Sequence, residues 1–299
     1  MKKIHIIYNP KAGKSHRLDE LAIALLMRGM AVSIYPTKKK GDAEEQAYIQ
    51  CNAREMDALI SFGGDGTLNE IVNGVMRSDQ RIPVAVFSAG TVNDFANFLQ
   101  MPKEPEEFAD MLVDFRCQPT DVGRINDRYF INVFSCGVVS TVAHKTDRQL
   151  KSVLGPLAYY LEGLRELTTQ GLTGRQIYIK SERYLYNGEY YLCLISNSSS
   201  IGGFSQMAPQ ASVNDGRFNC MLIKKAPAAE VIDIVTKLLQ GKHIMNDYVV
   251  YFETRKIHVE TEDELDVDGE LFNKGPIEIE VMPGGFDMIY PVIDESTGR

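Results

Sequence analysis

The passage that most restricts this chain runs from Ala58 to Val75. A short apolar run, Ala58–Phe62, stops abruptly at Gly63-Gly64-Asp65-Gly66-Thr67, and a helical pattern through Ile71 and Val75 takes over. A strand that ends in small residues and feeds a helix is half of a βαβ unit. The same succession recurs on either side. Ile4–Tyr8 reads as a strand. Leu18, Leu21, Ala22, Leu25 and Leu26 follow at the i, i+3, i+4, i+7, i+8 spacing of an amphipathic helix, with Ser15 as candidate N-cap and Gly29 as the stop. Ala31–Tyr35 predicts the next strand, and Asp42 with Glu45 a capping-box-like start for a helix to about Arg54. Pro83–Phe87 gives a fourth strand, ending at Ser88-Ala89-Gly90-Thr91. Repetition of strand, polar turn and helix predicts an α/β domain with a parallel sheet and helices on its faces.

The texture changes after about Thr120. Tyr129–Phe134, Gln176–Ser181, Tyr190–Ile195, Phe218–Ile223, Val249–Phe252, Lys256–Val259, Glu264–Val267 and Ile277–Val281 are short runs set apart by turn signals such as Asn187-Gly188 and Asp215-Gly216. That pattern predicts an antiparallel β-sandwich, interrupted by helical patterns near Val153–Thr168 and Ala228–Leu239. A single core stops growing near about 250–300 residues, so two domains suit the length. The expected division is an α/β domain over residues 1–122, a β-sandwich domain over 123–290, and a tail over 291–299 that packs back on the first domain.

Composition matters here through its distribution. The net charge of -8 suggests a chain that avoids anionic partners, yet residues 253–299 carry 13 acids and 4 bases, which leaves the remainder near neutral. The five cysteines contain no C-x-x-C pair, which fits a reducing cytosol and neither a disulfide framework nor a zinc knuckle. The apolar run after Met1-Lys2-Lys3 is too short for a signal peptide, and no stretch has the roughly 20 apolar residues of a spanning helix. Nothing resembles a nucleic-acid motif, and no histidine sits at metal-ligand spacing.

In open parallel sheets ligands gather beyond the carboxyl ends of the strands. The loop Gly63–Thr67 suits phosphate, because glycines let the backbone N–H groups approach and the following helix offers its positive end. Thr67 and Glu70 fit a capping box, and a plain tight turn is the alternative. Two familiar phosphate motifs nearly match. Tyr8 stands where the first glycine of a Walker loop belongs, and Gly64–Asn69 lacks the third glycine of the dinucleotide fingerprint.

Taken in order, Asn9-Pro10-x-x-Gly13, Thr37-x-x-x-Gly41-Asp42-Ala43, Gly63-Gly64-Asp65-Gly66-Thr67-x-Asn69-Glu70, Gly90-Thr91-x-Asn93-Asp94-Phe95-Ala96 and Asp268-Gly269-Glu270 resemble the diacylglycerol kinase catalytic-domain family, soluble bacterial lipid kinases above all. NAD kinases and phosphofructokinases share a related glycine-Asp-glycine loop. The resemblance implies ATP-dependent phosphorylation of a lipid hydroxyl, with diacylglycerol as the leading acceptor, in a cleft between the α/β domain and the β-sandwich. Carried over by position, Asn9, Gly13, Thr37, Gly64, Asp65, Gly66, Thr67, Glu70 and Thr91 surround ATP. Asp65, Asp94 and Asp121 organise a catalytic Mg²⁺, since carboxylates help a triphosphate only across a hard cation. Asp268 is the general base, assisted by Glu270, or Glu270 is itself the base. The turn with Ser212, Asp215 and the Arg217 carbonyl resembles a structural Mg²⁺ site.

Plainer readings stand beside these. Asp94 caps the helix beginning Phe95-Ala96, Asp121 sits in a turn with Gly123, and Asp268-Gly269 and Asp215-Gly216 are hairpin turns. A kinase of the same fold acting on a sphingoid base, a phosphatidylglycerol-like lipid or a nicotinamide nucleotide is an alternative, as is a nucleotide-sensing module without turnover. Val92 and Asn97 depart from the family pattern, where threonine or serine and a basic residue are usual, and Ser88-Ala89 replaces a proline-containing approach to Gly90. A lipid acceptor implies peripheral membrane contact by a cytoplasmic protein. The mixed basic and apolar stretch His144–Arg175 is the candidate surface, and it equally suits packing on the sandwich or a homodimer interface.

Overall fold

The computed structural model describes residues 1–13, 15–137, 173–238, 240–272 and 275–291. The predicted helix Val153–Thr168, the candidate membrane surface as far as residue 172 and most of the C-terminal tail lie outside them. The chain forms two compact units: Met1–Val122 joined by the segment from Pro283 onward, and Gly123–Met282.

In the first unit, β1 (Lys3–Tyr8) lies between β2 (Ala31–Pro36) and β3 (Ala58–Gly63), and β3 pairs with β4 (Val84–Ser88), all parallel. Strands β3 and β4 are buried at every residue, as a parallel sheet covered on both faces requires. On one face Phe62 stacks on Phe87, which meets Phe108 of a helix edge to face. On the other, His5 reaches Gln46. The helices are α1 (Leu18–Met27), α2 (Asp42–Ala53), α3 (Asp65–Arg77), the short α4 (Asp94–Phe98) and α5 (Pro105–Asp114). Helices α2 and α3 pack closely because Gly74 has no side chain: a Cβ there would lie 2.2 Å from the Glu44 carbonyl oxygen.

The predicted caps are not the ones used. Ser15 belongs to a 3-10 turn, Ser15–Arg17, and α1 starts after Arg17. Gly41, in the left-handed conformation, precedes α2, and Asp42 instead accepts hydrogen bonds from the Lys38 and Lys39 N–H groups. Glu70 does not close a box with Thr67. Its carboxylate accepts from the Ala43 N–H at 3.2 Å, so it caps α2 from the neighbouring helix.

The second unit is antiparallel and sandwich-like. It comprises the end of β5 (Cys117–Ile125), β6 (Arg128–Phe130), β7 (Val133–Gly137), β8 (Arg175–Ser181), β9 (Leu185–Ser196), β10 (Phe218–Lys224), α6 (Ala228–Leu238), β11 (Val249–Thr254), β12 (Lys256–Thr261), β13 (Leu265–Val267), β14 (Glu270–Phe272) and the start of β15 (Ile277–Ile289). Long β9 is the organiser, pairing with β7, β8 and β10, while β12 joins β8 to β15. Phe130, Phe134, Ile179, Ile195, Phe218, Val259 and Ile279 share one core.

Two sequence expectations fail here for visible reasons. Asn187-Gly188 is no turn but lies inside β9, opposite Tyr178 and Ile177, and the reversal falls at Ser181–Tyr184. The run Tyr129–Phe134 is broken into β6 and β7, because the N–H groups of Ile131 and Asn132 are claimed by a side chain described below.

Candidate active site

Because β2, β1, β3 and β4 are parallel, the loops that follow them emerge along one edge of the sheet. Thr37 follows β2, Asn9 follows β1, Gly64 follows β3, and Gly90 and Thr91 follow β4. Backbone bonds continue the pairing into these loops: Thr37 N–H to the Tyr8 oxygen at 2.9 Å, Asn9 N–H to the Phe62 oxygen at 3.1 Å, and Ala89 N–H to the Gly63 oxygen at 2.9 Å. The sheet therefore gathers Asn9, Thr37, Gly64 and Thr91 at one end.

The glycines there have different reasons to exist. A Cβ on Gly90 would sit 2.6 Å from the Gly64 Cα, so these two loops touch backbone to backbone. A Cβ on Gly63 would meet the Thr67 hydroxyl at 2.5 Å, which explains the buried threonine. Around Gly13 and Gly66 a Cβ would meet nothing within 4 Å, and neither has a positive φ. Among the described residues no packing contact or positive φ accounts for glycine at those two positions. Such open main chain leaves room for a ligand to approach.

Asp65 opens α3, and its two oxygens accept the N–H groups of Asp94 at 3.1 Å and Phe95 at 3.2 Å, capping α4. Asp94 is buried. Burial, and then the nearby Asp94 carboxylate, push the Asp65 carboxyl above the usual carboxylate range despite those donors. Two desolvated carboxylates held together repel, and a divalent cation would reverse the sign of that interaction. Among the described residues no group of three or more His, Cys, Asp or Glu could cage a metal. Asp121 is 2% exposed, and its carboxylate accepts the Gly284 N–H at 2.8 Å, fastening the last strand segment to its own unit.

In the second unit, β13 and β14 form a two-residue hairpin in which Asp268 (φ 50°) and Gly269 (φ 84°) are both left-handed. The turn reading of Asp268-Gly269 is thus correct as geometry. The Asp268 side chain does more. Its oxygens accept the N–H groups of Ile131 at 2.7 Å, Asn132 at 3.0 Å and Val133 at 2.8 Å, and its own N–H donates to the Val133 oxygen at 2.9 Å. The hairpin is bolted to the β6–β7 junction, and half-buried Glu270 emerges from it as the first residue of β14.

Residues 3–125 match the diacylglycerol kinase catalytic domain, and residues 132–290 match the YegS C-terminal NAD kinase beta sandwich-like domain. A diacylglycerol kinase of Bacillus subtilis is 36% identical over 296 residues, covering 97% of this chain and 94% of its own. The chain belongs to the diacylglycerol kinase family. A Staphylococcus haemolyticus diacylglycerol kinase is likewise 36% identical, over 91% of this chain and 83% of its own. The crystal structure of a diacylglycerol kinase from Bacillus anthracis superposes with a TM-score of 0.80 at 29% identity, covering 97% of both chains.

Family membership makes this chain a kinase, a phosphotransferase by descent. Among the described residues no helix is long and apolar enough to cross a membrane. The turn that resembles a structural metal site closes on itself: the Ser212 hydroxyl donates to the Asn214 side chain at 2.7 Å, and Asp215 accepts the Arg217 N–H at 2.9 Å. At the family's two divergent positions, Val92 is exposed and Asn97 donates to the Val92 oxygen at 2.8 Å, so the amide braces the loop. Reading the sequence for site residues passes over Asn93 and the Ile131–Val133 backbone. Only Asn93 has a sequence signal, an asparagine directly before a helix start.

Proposed function

We propose that this chain is an ATP- and Mg²⁺-dependent lipid kinase that phosphorylates a lipid hydroxyl, diacylglycerol to phosphatidic acid in the leading case. The observation that carries the reading is the paired Asp65 and Asp94 carboxylates set among open glycine loops at the carboxyl end of a parallel sheet. Asn9, Gly13, Thr37, Gly64, Gly66, Thr67 and Thr91 hold the nucleotide, with backbone N–H groups and the start of α3 facing its phosphates. Glu70, which fixes the start of α2, supports that loop from behind. Asp65 and Asp94 hold the magnesium ion, with Asp121 in the supporting frame. The ion, when bound, neutralises charge on the transferring phosphoryl group.

The acceptor hydroxyl oxygen forms the new bond to the γ-phosphorus as the bond to ADP breaks, and the hydroxyl proton passes to a carboxylate. Phosphoryl transfer depends mainly on in-line positioning, so a carboxylate base is enough. Of the two candidates we assign this role to Glu270. Asp268 has its oxygens committed to three backbone N–H groups and positions Glu270. Peripheral contact with a membrane from the cytoplasmic side goes with a lipid acceptor. The Ser212, Asp215 and Arg217 turn is the proposed structural Mg²⁺ site, and calorimetric titration of a Ser212→Ala, Asp215→Ala variant with Mg²⁺ tests it.

The decisive assay is transfer of radiolabel from γ-labelled ATP to diacylglycerol, sphingoid bases and phosphatidylglycerol in mixed micelles, with Asp65→Ala and Glu270→Gln in parallel. Labelled diacylglycerol that vanishes in both variants is the expected result. ATP binding without labelling of any lipid above those variants ends the kinase reading and leaves a nucleotide-sensing module.

A further inference from the structure

Asn93 is assigned no role above, yet it is 8% exposed and lies against the Gly64 and Gly90 loops. Its backbone is left-handed (φ 56°, ψ 48°), a region that asparagine enters more readily than most side chains. Its side chain closes a reciprocal pair with Gly90: Oδ1 accepts the Gly90 N–H at 3.0 Å, and Nδ2 donates to the Gly90 oxygen at 2.8 Å. The next two residues along the chain, Asp94 and Phe95, give their N–H groups to Asp65. Gly90 itself donates to the Gly63 oxygen at 3.2 Å and abuts Gly64.

One residue therefore connects the loop after β4, the loop after β3 and the carboxylate at the head of α3. We infer that Asn93 is a positioning residue that locks the two glycine loops in register and turns the start of α4 so that its N–H groups hold Asp65. The chemistry explains the residue type. Only an amide side chain of this length both accepts from and donates to a main-chain group while its own backbone is left-handed. Aspartate would keep the acceptor, lose the donor and add a third carboxylate beside Asp65 and Asp94. Glycine would keep the backbone and lose both bonds.

The inference rests on the kinase reading, and its test separates the two. The variant is Asn93→Gly, which preserves the left-handed turn without strain. Steady-state kinetics with ATP varied at fixed diacylglycerol, and the reverse, are combined with calorimetric ATP titration, thermal unfolding, and hydrogen exchange of the wild-type chain. The expected result is an unfolding temperature lowered by only a few degrees, as the loss of two hydrogen bonds requires, ATP KM and Kd raised about tenfold, the effect of one lost charge-oriented contact, and an unchanged KM for the lipid. Unchanged ATP affinity overturns the inference. So does an equal rise in both KM values, or a fall in kcat alone, because a residue that merely supports the fold would act without regard to substrate. Hydrogen exchange stands independently of the variant. The Gly90, Asp94 and Phe95 amides must be protected in the wild-type protein, and free exchange there also overturns the lock. A wild-type protein that neither binds ATP nor labels lipid defeats the kinase reading instead.

Discussion

Gly66→Ala moves stability and activity in opposite directions. Gly66 lies in the first turn of α3 with a helical backbone, is exposed, and a Cβ built on it meets no atom within 4 Å. Alanine loses less conformational entropy on folding than glycine, so the substitution is expected to stabilise the chain by about 0.5 kcal/mol, within the usual range for a compatible site. For a chain of this size that raises Tm by roughly 1–2 °C. If the empty space over Gly66 is where phosphate approaches the backbone, the methyl group removes a hydrogen bond to a charged group. Such a bond contributes about 1.5–3 kcal/mol, and its loss would raise the ATP KM roughly 10- to 100-fold. Differential scanning calorimetry and steady-state kinetics on one preparation read both effects. Gly90→Ala is the contrast, since its Cβ would lie 2.6 Å from the Gly64 Cα and must force the loops apart. It is expected to lower Tm as well as activity. An ATP KM for Gly66→Ala within about twofold of wild type, below what one lost contact of this kind produces, refutes the argument that open glycines mark the phosphate cradle.

Three further outcomes follow from the geometry. Gly74→Ala places a methyl group 2.2 Å from the Glu44 oxygen and 2.9 Å from the Ala47 Cβ, so α2 and α3 must separate; chemical denaturation should show a loss of about 1–3 kcal/mol despite the gain in helix propensity. Asp268→Ala strands three N–H groups at the β6–β7 junction and should cost about 3 kcal/mol, whereas Glu270→Gln should abolish lipid labelling with an unfolding curve like wild type. His258 lies between Glu260 at 2.7 Å and Glu278 at 2.6 Å, and those carboxylates, Glu260 first, hold its pKa above 6.5. A raised folded-state pKa gives stability that is full below the unfolded value and fades as pH rises through the folded one. Wild type should therefore lose Tm relative to His258→Gln as pH climbs from about 6 to about 8, and parallel Tm profiles would dismiss the ion pairs as contributors.

The local patterns of this sequence were enough for most of the described elements because they express short-range physics. Largely apolar runs at Ala58–Phe62 and Pro83–Phe87 become strands buried on both faces, and the spacing of Leu18, Leu21 and Leu25 buries one side of α1. The glycine loops are legible for the same reason, since close backbone approach and helix starts are properties of a few consecutive residues. Pro105 with Glu106 and Glu107 carries an equally local signal for α5, Pro at the first position and acids in the first turn.

What the sequence could not decide are choices made between segments far apart in the chain. Asn187-Gly188 has the composition of a turn, but pairing across β8 draws it into a strand. Glu70 lies at capping-box spacing from Thr67 yet serves α2, because packing of α2 on α3 brings the Ala43 N–H nearer. Asp268 is a turn residue by local rule and an anchor by tertiary contact, its carboxylate meeting N–H groups more than a hundred residues away in the chain. A side chain's partner is whichever unsatisfied donor the fold delivers, and burial penalises any polar group left without one. The sequence therefore determined the family and the loops this protein carries, and the tertiary structure decided which backbone donor each polar side chain meets, because those donors come from distant segments.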